Sequence, residues 1–228
     1  MRWQCLGRYK YFFYDMDDTL VFTQDKWIAA IAAYLQSHGI PYDSAVVHRY
    51  LGKNCRDISK DIGRDYAIRN VDGLPADERL RELLQLEFAR KLPDEILGAT
   101  KFIRSMSTRV RQFIASGSPL AVIARVVSHH RWGGYIEHFI SSESVAKGKP
   151  DPEIYTKLCT HLGAEPGECL IFEDSPAGIE AAHSAGIQCV VINPKVPTDR
   201  SPWIIAVAQD FEALVNQQEF KERVLSQR

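Results

Sequence analysis

Two patterns of hydrophobic and polar positions divide the chain. Residues 11–14 read Tyr-Phe-Phe-Tyr, an unbroken aromatic run that suits a strand covered on both faces. After the short apolar stretch Leu20 to Thr23 the spacing turns helical. Trp27, Ile31, Tyr34, Leu35 and His38 recur at intervals of three and four, and Gly39 marks a stop. Asp43 is expected to cap a short helix carrying Val46, Val47, Tyr50 and Leu51, and Ile58, Ile62 and Tyr66 mark another. From Ala76 to Leu92, Leu80, Leu83, Leu84, Glu87 and Phe88 fall on one stripe. No strand pattern interrupts residues 24–92.

From Gly98 onward strands and helices alternate. A helix over Ala99 to Met106 precedes a strand at Val110 to Ala115, and a helix carrying Leu120, Ile123 and Val127 precedes a short strand around Phe139-Ile140. The next helix opens at Asp151-Pro152 and stops at Gly163. Cys169 to Phe172 is a strand, Ser175-Pro176 opens a helix that ends at Gly186, and Cys189 to Ile192 and Ile204 to Val207 are further strands. Such alternation predicts a three-layer α/β fold with a mostly parallel sheet. The opening strand belongs to that sheet in type, so the predicted arrangement is a core of residues 1–21 and 99–228 with an all-helical cap domain, residues 22–98, inserted after the first strand.

Composition narrows the setting. The chain has 228 residues, 45% hydrophobic and 25% charged, in the ordinary globular range. A formal net charge of −1 leaves no electrostatic footprint for nucleic acid or an anionic membrane, and no run approaches the ~18 apolar residues of a membrane span. The cysteines Cys5, Cys55, Cys159, Cys169 and Cys189 are odd in number, scattered and free of any CxxC pair, which points to a reducing compartment rather than a disulfide framework or thiolate zinc site. Met1 to Lys10 contain no sustained apolar run. A soluble, cytoplasmic protein is expected, as a monomer.

The candidate chemistry lies where strands end. Asp15, Asp17 and Asp18 follow the aromatic strand, Ser116-Gly117-Ser118 follows Phe113-Ile114-Ala115, Gly148-Lys149-Pro150 precedes a helix, and Glu173-Asp174 follows Leu170-Ile171-Phe172. In a parallel sheet the carboxyl ends share one edge, so residues distant in sequence can converge there. Each cluster alone has an ordinary reading: Ser116-Gly-Ser-Pro as a helix cap, Lys149 as a solvated loop residue, Glu173-Asp174 as an acidic helix start. Together they supply carboxylates for a hard cation, a hydroxyl, a lysine and glycine-flanked amides, a set suited to phosphoryl transfer.

Asp15-Met-Asp17-Asp-Thr19-Leu resembles the first motif of the haloacid dehalogenase-like hydrolases, with Ser116, Lys149 and Glu173-Asp174 matching the second, third and fourth. Phe172-Glu-Asp-Ser-Pro-Ala-Gly178 is similar to the fourth-motif segment of the helical-cap subgroup that includes β-phosphoglucomutase and phosphoglycolate phosphatase. The resemblance implies a Rossmann-like core, a nucleophile at Asp15 and a general acid and base at Asp17. It implies Mg2+ on Asp15, the Asp17 carbonyl and Asp174, with Glu173 in the metal shell. Ser116, the Gly117 amide and Lys149 would bind the phosphoryl group. Asp18 stands where glycine is commonest and is expected to be incidental.

Asp17 favours a phosphate ester over a haloacid or phosphonate, since those branches of the family replace the second aspartate. A phosphatase acting on a small phosphorylated metabolite, such as a sugar phosphate, is expected. The alternatives are a phosphomutase and a weakly active phosphometabolite-binding protein. The mutase carries a histidine where Trp27 stands here, and Trp27 and Trp132 are expected to pack rather than bind substrate. Lys53 and Arg56, in Gly52-Lys-Asn-Cys-Arg-Asp57, resemble the cap loop that contacts the rest of the substrate. Hinges are expected near residues 20–24 and 93–99.

Overall fold

The computed structural model describes residues 8–68, 76–194 and 201–226; Cys5 lies outside them. The described strands are β1 (Tyr11–Tyr14), β2 (Arg111–Ser116), β3 (His138–Ser141), β4 (Cys169–Glu173), β5 (Gln188–Ile192) and β6 (Ile204–Ala208). They form one sheet in the order β3-β2-β1-β4-β5-β6, and every neighbouring pair is parallel. Tyr14 pairs with Ile114 on one side and Phe172 on the other, so Asp15 emerges level with Ala115 and Glu173. The register alone therefore brings three of the candidate segments to one edge.

Side-chain alternation explains the layers. Phe12, Tyr14, Ile114, Leu170, Phe172 and Val190 point to one hydrophobic cluster, which also contains Phe102 and Ile103 of α5 (Ala99–Met106), residues of α6 (Leu120–His129) and Phe211 of α9 (Phe211–Asn216). The alternating partners Phe13, Phe113, Ala115, Ile171 and Val191 point to a second cluster, with α7 (Glu153–Leu162) and α8 (Pro176–Ser184). A strand covered on both faces needs no polar alternation, hence the continuous aromatic and aliphatic runs. The first cluster is aromatic at its centre. Phe172 lies 5.0 Å from Phe12, 4.8 Å from Tyr14 and 5.4 Å from Phe102, measured between ring centroids. The buried Tyr14 hydroxyl donates to Gln112 Oε1 at 2.8 Å, and Gln112 Nε2 donates to the Ile103 carbonyl, so this polar pair is satisfied.

Between β1 and β2 the described residues contain α1 (Gln24–Ser37), α2 (Ser44–His48), α3 (Cys55–Asp65) and α4 (Ala76–Arg90), and no strand. Asp43 caps α2 as expected, accepting from the Ala45 amide at 2.8 Å. The helix around Ile58 starts earlier than its apolar positions suggest, because Asn54 caps it by accepting from the Asp57 amide. The helix expected to open at Asp151-Pro152 begins at Glu153, with Asp151 Oδ1 accepting from the Glu153 amide. The two junctions of the helical block run side by side, Phe22 N–H donating to Asp94 O at 3.0 Å and Ile96 N–H to Leu20 O at 2.8 Å.

Phe172→Ala removes the centre of the aromatic cluster directly behind the strand end. We expect a loss of about 3–5 kcal/mol of stability in a denaturant titration. A loss below about 1 kcal/mol contradicts this packing.

Candidate active site

Asp15 leaves the sheet at the end of β1, its amide still bonded to the Phe172 carbonyl at 2.9 Å. The loop before α7 brings Lys149 over it. The Lys149 ammonium donates to Asp15 Oδ1 at 2.6 Å, to Glu173 Oε1 at 2.5 Å and to the Ala115 carbonyl at 3.2 Å, which uses all three of its protons. It also lies 5.2 Å from the centre of the Tyr155 ring. The Lys149–Pro150 peptide is cis.

Glu173, the last residue of β4, is fully buried and fully engaged. Its Oε1 also accepts from the Tyr155 hydroxyl at 3.2 Å, and its Oε2 accepts from the Asp174 amide, the Ser175 amide and the Ser175 hydroxyl at 3.0–3.1 Å. Ser175 in turn caps α8 by accepting from the Gly178 amide. A Cβ on Gly178 would stand 1.8 Å from Glu173 Oε1, so only glycine leaves room for this carboxylate against the first turn of α8. Asp174 is positioned by Thr19, whose hydroxyl donates to Asp174 Oδ1 at 3.2 Å.

Asp15, Glu173 and Asp174 each offer an oxygen within 4.8 Å of the others. They are 6%, 0% and 6% exposed. Among the described residues the Lys149 ammonium pairs with Asp15 and Glu173, and the three buried carboxylates lie together where water screens poorly. Burial raises the Asp15 carboxyl well above the usual carboxylate range, against the opposing pull of Lys149, and Glu173 adds to the rise. Burial works to lower the Lys149 ammonium, but Asp15 and Glu173 outweigh it and keep the group charged. A buried cluster that offers only carboxylate oxygens fits a hard divalent cation such as magnesium.

Asp17 stands beside this cluster. Its Oδ2 accepts from the buried Ser116 hydroxyl at 2.8 Å and its Oδ1 from the Trp27 indole N–H at 3.0 Å. Ser116 also accepts from the Ser118 amide, so it is tied to Asp17 and its own loop instead of capping α6. Trp27 is buried, 7% exposed, and beyond packing it lines the cavity and donates to a candidate catalytic carboxylate. Trp132 does pack, buried and donating to Thr100. Asp18 is not incidental. It adopts a left-handed backbone with φ 58°, a conformation that favours glycine and tolerates aspartate, and its Oδ1 accepts from the Thr23 and Gln24 amides at the start of α1.

A cavity of about 420 Å³ opens above Asp15, between Trp27, Leu51 and Lys53 of the helical block and Gly117, Asp174 and Pro176 of the sheet edge. The structure thus brings together Asp15, Asp17, Ser116, Gly117, Lys149, Glu173 and Asp174. Lys53 lines the cavity but its ammonium is paired with Asp61 at 2.6 Å. Arg56 does not face the cavity; its Nη1 donates to the Val145 carbonyl at 3.0 Å and fastens the helical block to the loop that carries Lys149. Asn54 packs on the same loop, where a Cβ on Gly148 would meet Asn54 Nδ2 at 2.1 Å. Thr19, Tyr155, Ser175 and Trp27 were not among the candidates. Thr19 and Ser175 adjoin the motifs in sequence, a usable signal; Tyr155 and Trp27 read as core positions of helices.

Residues 9–186 match the haloacid dehalogenase-like hydrolase family. Validoxylamine A 7'-phosphate phosphatase of Streptomyces hygroscopicus subsp. limoneus is 31% identical over 183 residues, covering 80% of this chain and 84% of that protein. Phosphorylated carbohydrates phosphatase of Thermotoga maritima is 28% identical over 178 residues, covering 77% and 81%. The structure of CbbY from Rhodobacter sphaeroides in complex with phosphate superposes with a TM-score of 0.75 at 20% identity, covering 90% of this chain and 96% of that one.

Gly178→Ala tests the close packing of Glu173. In an open helix this change gains up to about 1 kcal/mol. Here the clash with the carboxylate is expected to reverse the sign, at a cost of about 1–3 kcal/mol. Thermal or denaturant unfolding reads the difference, and a stabilised variant contradicts the geometry.

Proposed function

Because the chain belongs to the haloacid dehalogenase-like hydrolases, we propose that it is a magnesium-dependent phosphatase of a small phosphomonoester such as a sugar phosphate. The observation that carries the reading is the convergence of Asp15, Lys149 and Asp174 at the end of β1, with Asp17 held alongside by Ser116. Magnesium, held by Asp15, Asp174 and the Asp17 carbonyl, would supply positive charge that offsets the negative charge of the phosphoryl oxygens. Glu173, with both oxygens occupied by protein donors, acts behind it by fixing Lys149 and the Asp174 backbone.

In the proposed reaction Asp15 attacks phosphorus in line, the bond to the ester oxygen breaks, and an aspartyl-phosphate forms. Asp17 gives its proton to the departing oxygen, then takes one from the water that attacks the aspartyl-phosphate, releasing inorganic phosphate and restoring Asp15. Lys149, Ser116 and the Gly117 amide hold the phosphoryl oxygens. Residues 22–98 serve as a cap domain over the site, with Lys53 beside the leaving group. The two curated relatives described above are named as phosphatases, which favours hydrolysis over the phosphomutase alternative. The presence of both Asp15 and Asp17 speaks against a protein that only binds. The buried free thiols of Cys55, Cys159, Cys169 and Cys189 suit a cytoplasmic setting.

Asp15→Asn should lower turnover of p-nitrophenyl phosphate by about 10⁴-fold or more, and EDTA should abolish it until magnesium is restored. Full activity in the Asp15→Asn protein sinks the mechanism. Lys53→Ala should raise KM for the best substrate of a phosphometabolite panel by roughly 5-fold with kcat nearly constant, the mark of a contact made equally in ground and transition states. Unchanged KM removes Lys53 from the substrate site.

A further inference from the structure

We propose that Trp27 is a positioning residue for the proton transfer assigned to Asp17. This rests on the phosphatase reading and adds to it a part for the helical block in the chemistry.

The two oxygens of Asp17 are held by different parts of the fold. Ser116, at the end of β2, donates to Oδ2, and Trp27, in the first turn of α1, donates to Oδ1. One donor alone leaves the carboxylate free to rotate about its Cβ–Cγ bond; two donors on opposite oxygens fix its plane. The indole is itself fixed. It is 7% exposed, and its backbone amide bonds to the Thr23 carbonyl. Thr23 and Gln24, at the start of α1, donate their amides to the side chain of Asp18, the residue next to Asp17. A closed chain of contacts therefore runs from Asp18 to the start of α1, to Trp27, and back to Asp17. Any displacement of α1 relative to the sheet moves Trp27 against Asp17.

The chemistry of indole limits what this contact does. Its N–H donates only and does not exchange a proton with a carboxylate near neutral pH, so Trp27 orients Asp17 without relaying a proton. The proton on the leaving oxygen must then come from Asp17 directly. Its transfer requires heavy-atom distances of roughly 2.6–3.2 Å and correct alignment, which a rotated carboxylate does not give. The effect of losing the indole N–H is consequently greatest for substrates whose leaving group needs a proton, and small for those whose leaving group does not.

Trp27→Phe keeps an aromatic ring and deletes the donor. The measurement is kcat/KM, which reports phosphoryl transfer to Asp15, for p-nitrophenyl phosphate and for the alkyl phosphomonoester that the parent protein hydrolyses fastest. We expect roughly 10-fold or more loss on the alkyl ester and less than about 3-fold change on the aryl ester, since general acid assistance is worth about 10²–10⁴-fold where it operates. An equal loss on both esters means the side chain only packs, and no loss on either means the contact is idle; both overturn the proposal. A second readout is independent of turnover. The indole N–H resonance of Trp27, identified by its absence in Trp27→Phe, should shift when Asp17 is replaced by alanine, and an unmoved resonance also overturns it. A parent protein that hydrolyses neither ester counts against the phosphatase reading, while the resonance still decides the Trp27–Asp17 contact.

Discussion

The burial of three neighbouring carboxylates at the end of the central strand constrains the rest of this molecule. Asp15, Glu173 and Asp174 lie within reach of one another, and the Lys149 ammonium pairs with the first two. Carboxylates removed from water are costly unless hydrogen-bonded and paired. The surroundings answer that requirement: Glu173 accepts from Lys149, Tyr155, two backbone amides and Ser175, and Asp174 accepts from Thr19. Gly178 exists as glycine because the Glu173 carboxylate occupies the space of its side chain. The same clustering concentrates the negative charge that a divalent cation would meet.

The sheet supplies rigidity at the point of chemistry. Parallel pairing on both sides of β1 holds Asp15 level with Ala115 and Glu173, and the aromatic cluster of Phe12, Tyr14, Phe102 and Phe172 fills one face behind them. Groups that must meet a phosphoryl group within a fraction of an ångström are better placed on strand ends than on free loops. The helical block reaches the same edge by separate contacts. Trp27 touches Asp17, Arg56 bonds to the Val145 carbonyl, and Asn54 packs on Gly148 just before Lys149. The block thus grips the loops that carry the candidate catalytic groups.

Much of this was legible before folding, for identifiable reasons. A strand covered on both faces must be continuously apolar, so residues 11–14, 169–172 and 189–192 announce themselves, and a helix packed on one side shows its three-and-four spacing. The carboxylates at strand ends stood out because acids rarely terminate a buried strand. Other features left no such trace. Trp27 has the spacing of a core residue, and only the docking of α1 turns its N–H toward Asp17. Arg56 shares a loop with Lys53, yet its guanidinium turns to the Val145 carbonyl. Asp18 looked dispensable beside its neighbours because a left-handed backbone angle cannot be read from an aspartate alone.

Local patterning by itself therefore determined the alternation of strands and helices and the parallel α/β class, and it set the candidate residues Asp15, Asp17, Ser116, Lys149, Glu173 and Asp174 at strand ends or helix starts. Tertiary structure alone decided their partners. Which oxygen of Glu173 faces Lys149, which donors clamp Asp17, and which of Lys53 and Arg56 lines the cavity depend on distances between segments as much as 99 residues apart. Periodicity reports how a residue meets its own element; hydrogen bonds between elements depend on how those elements pack.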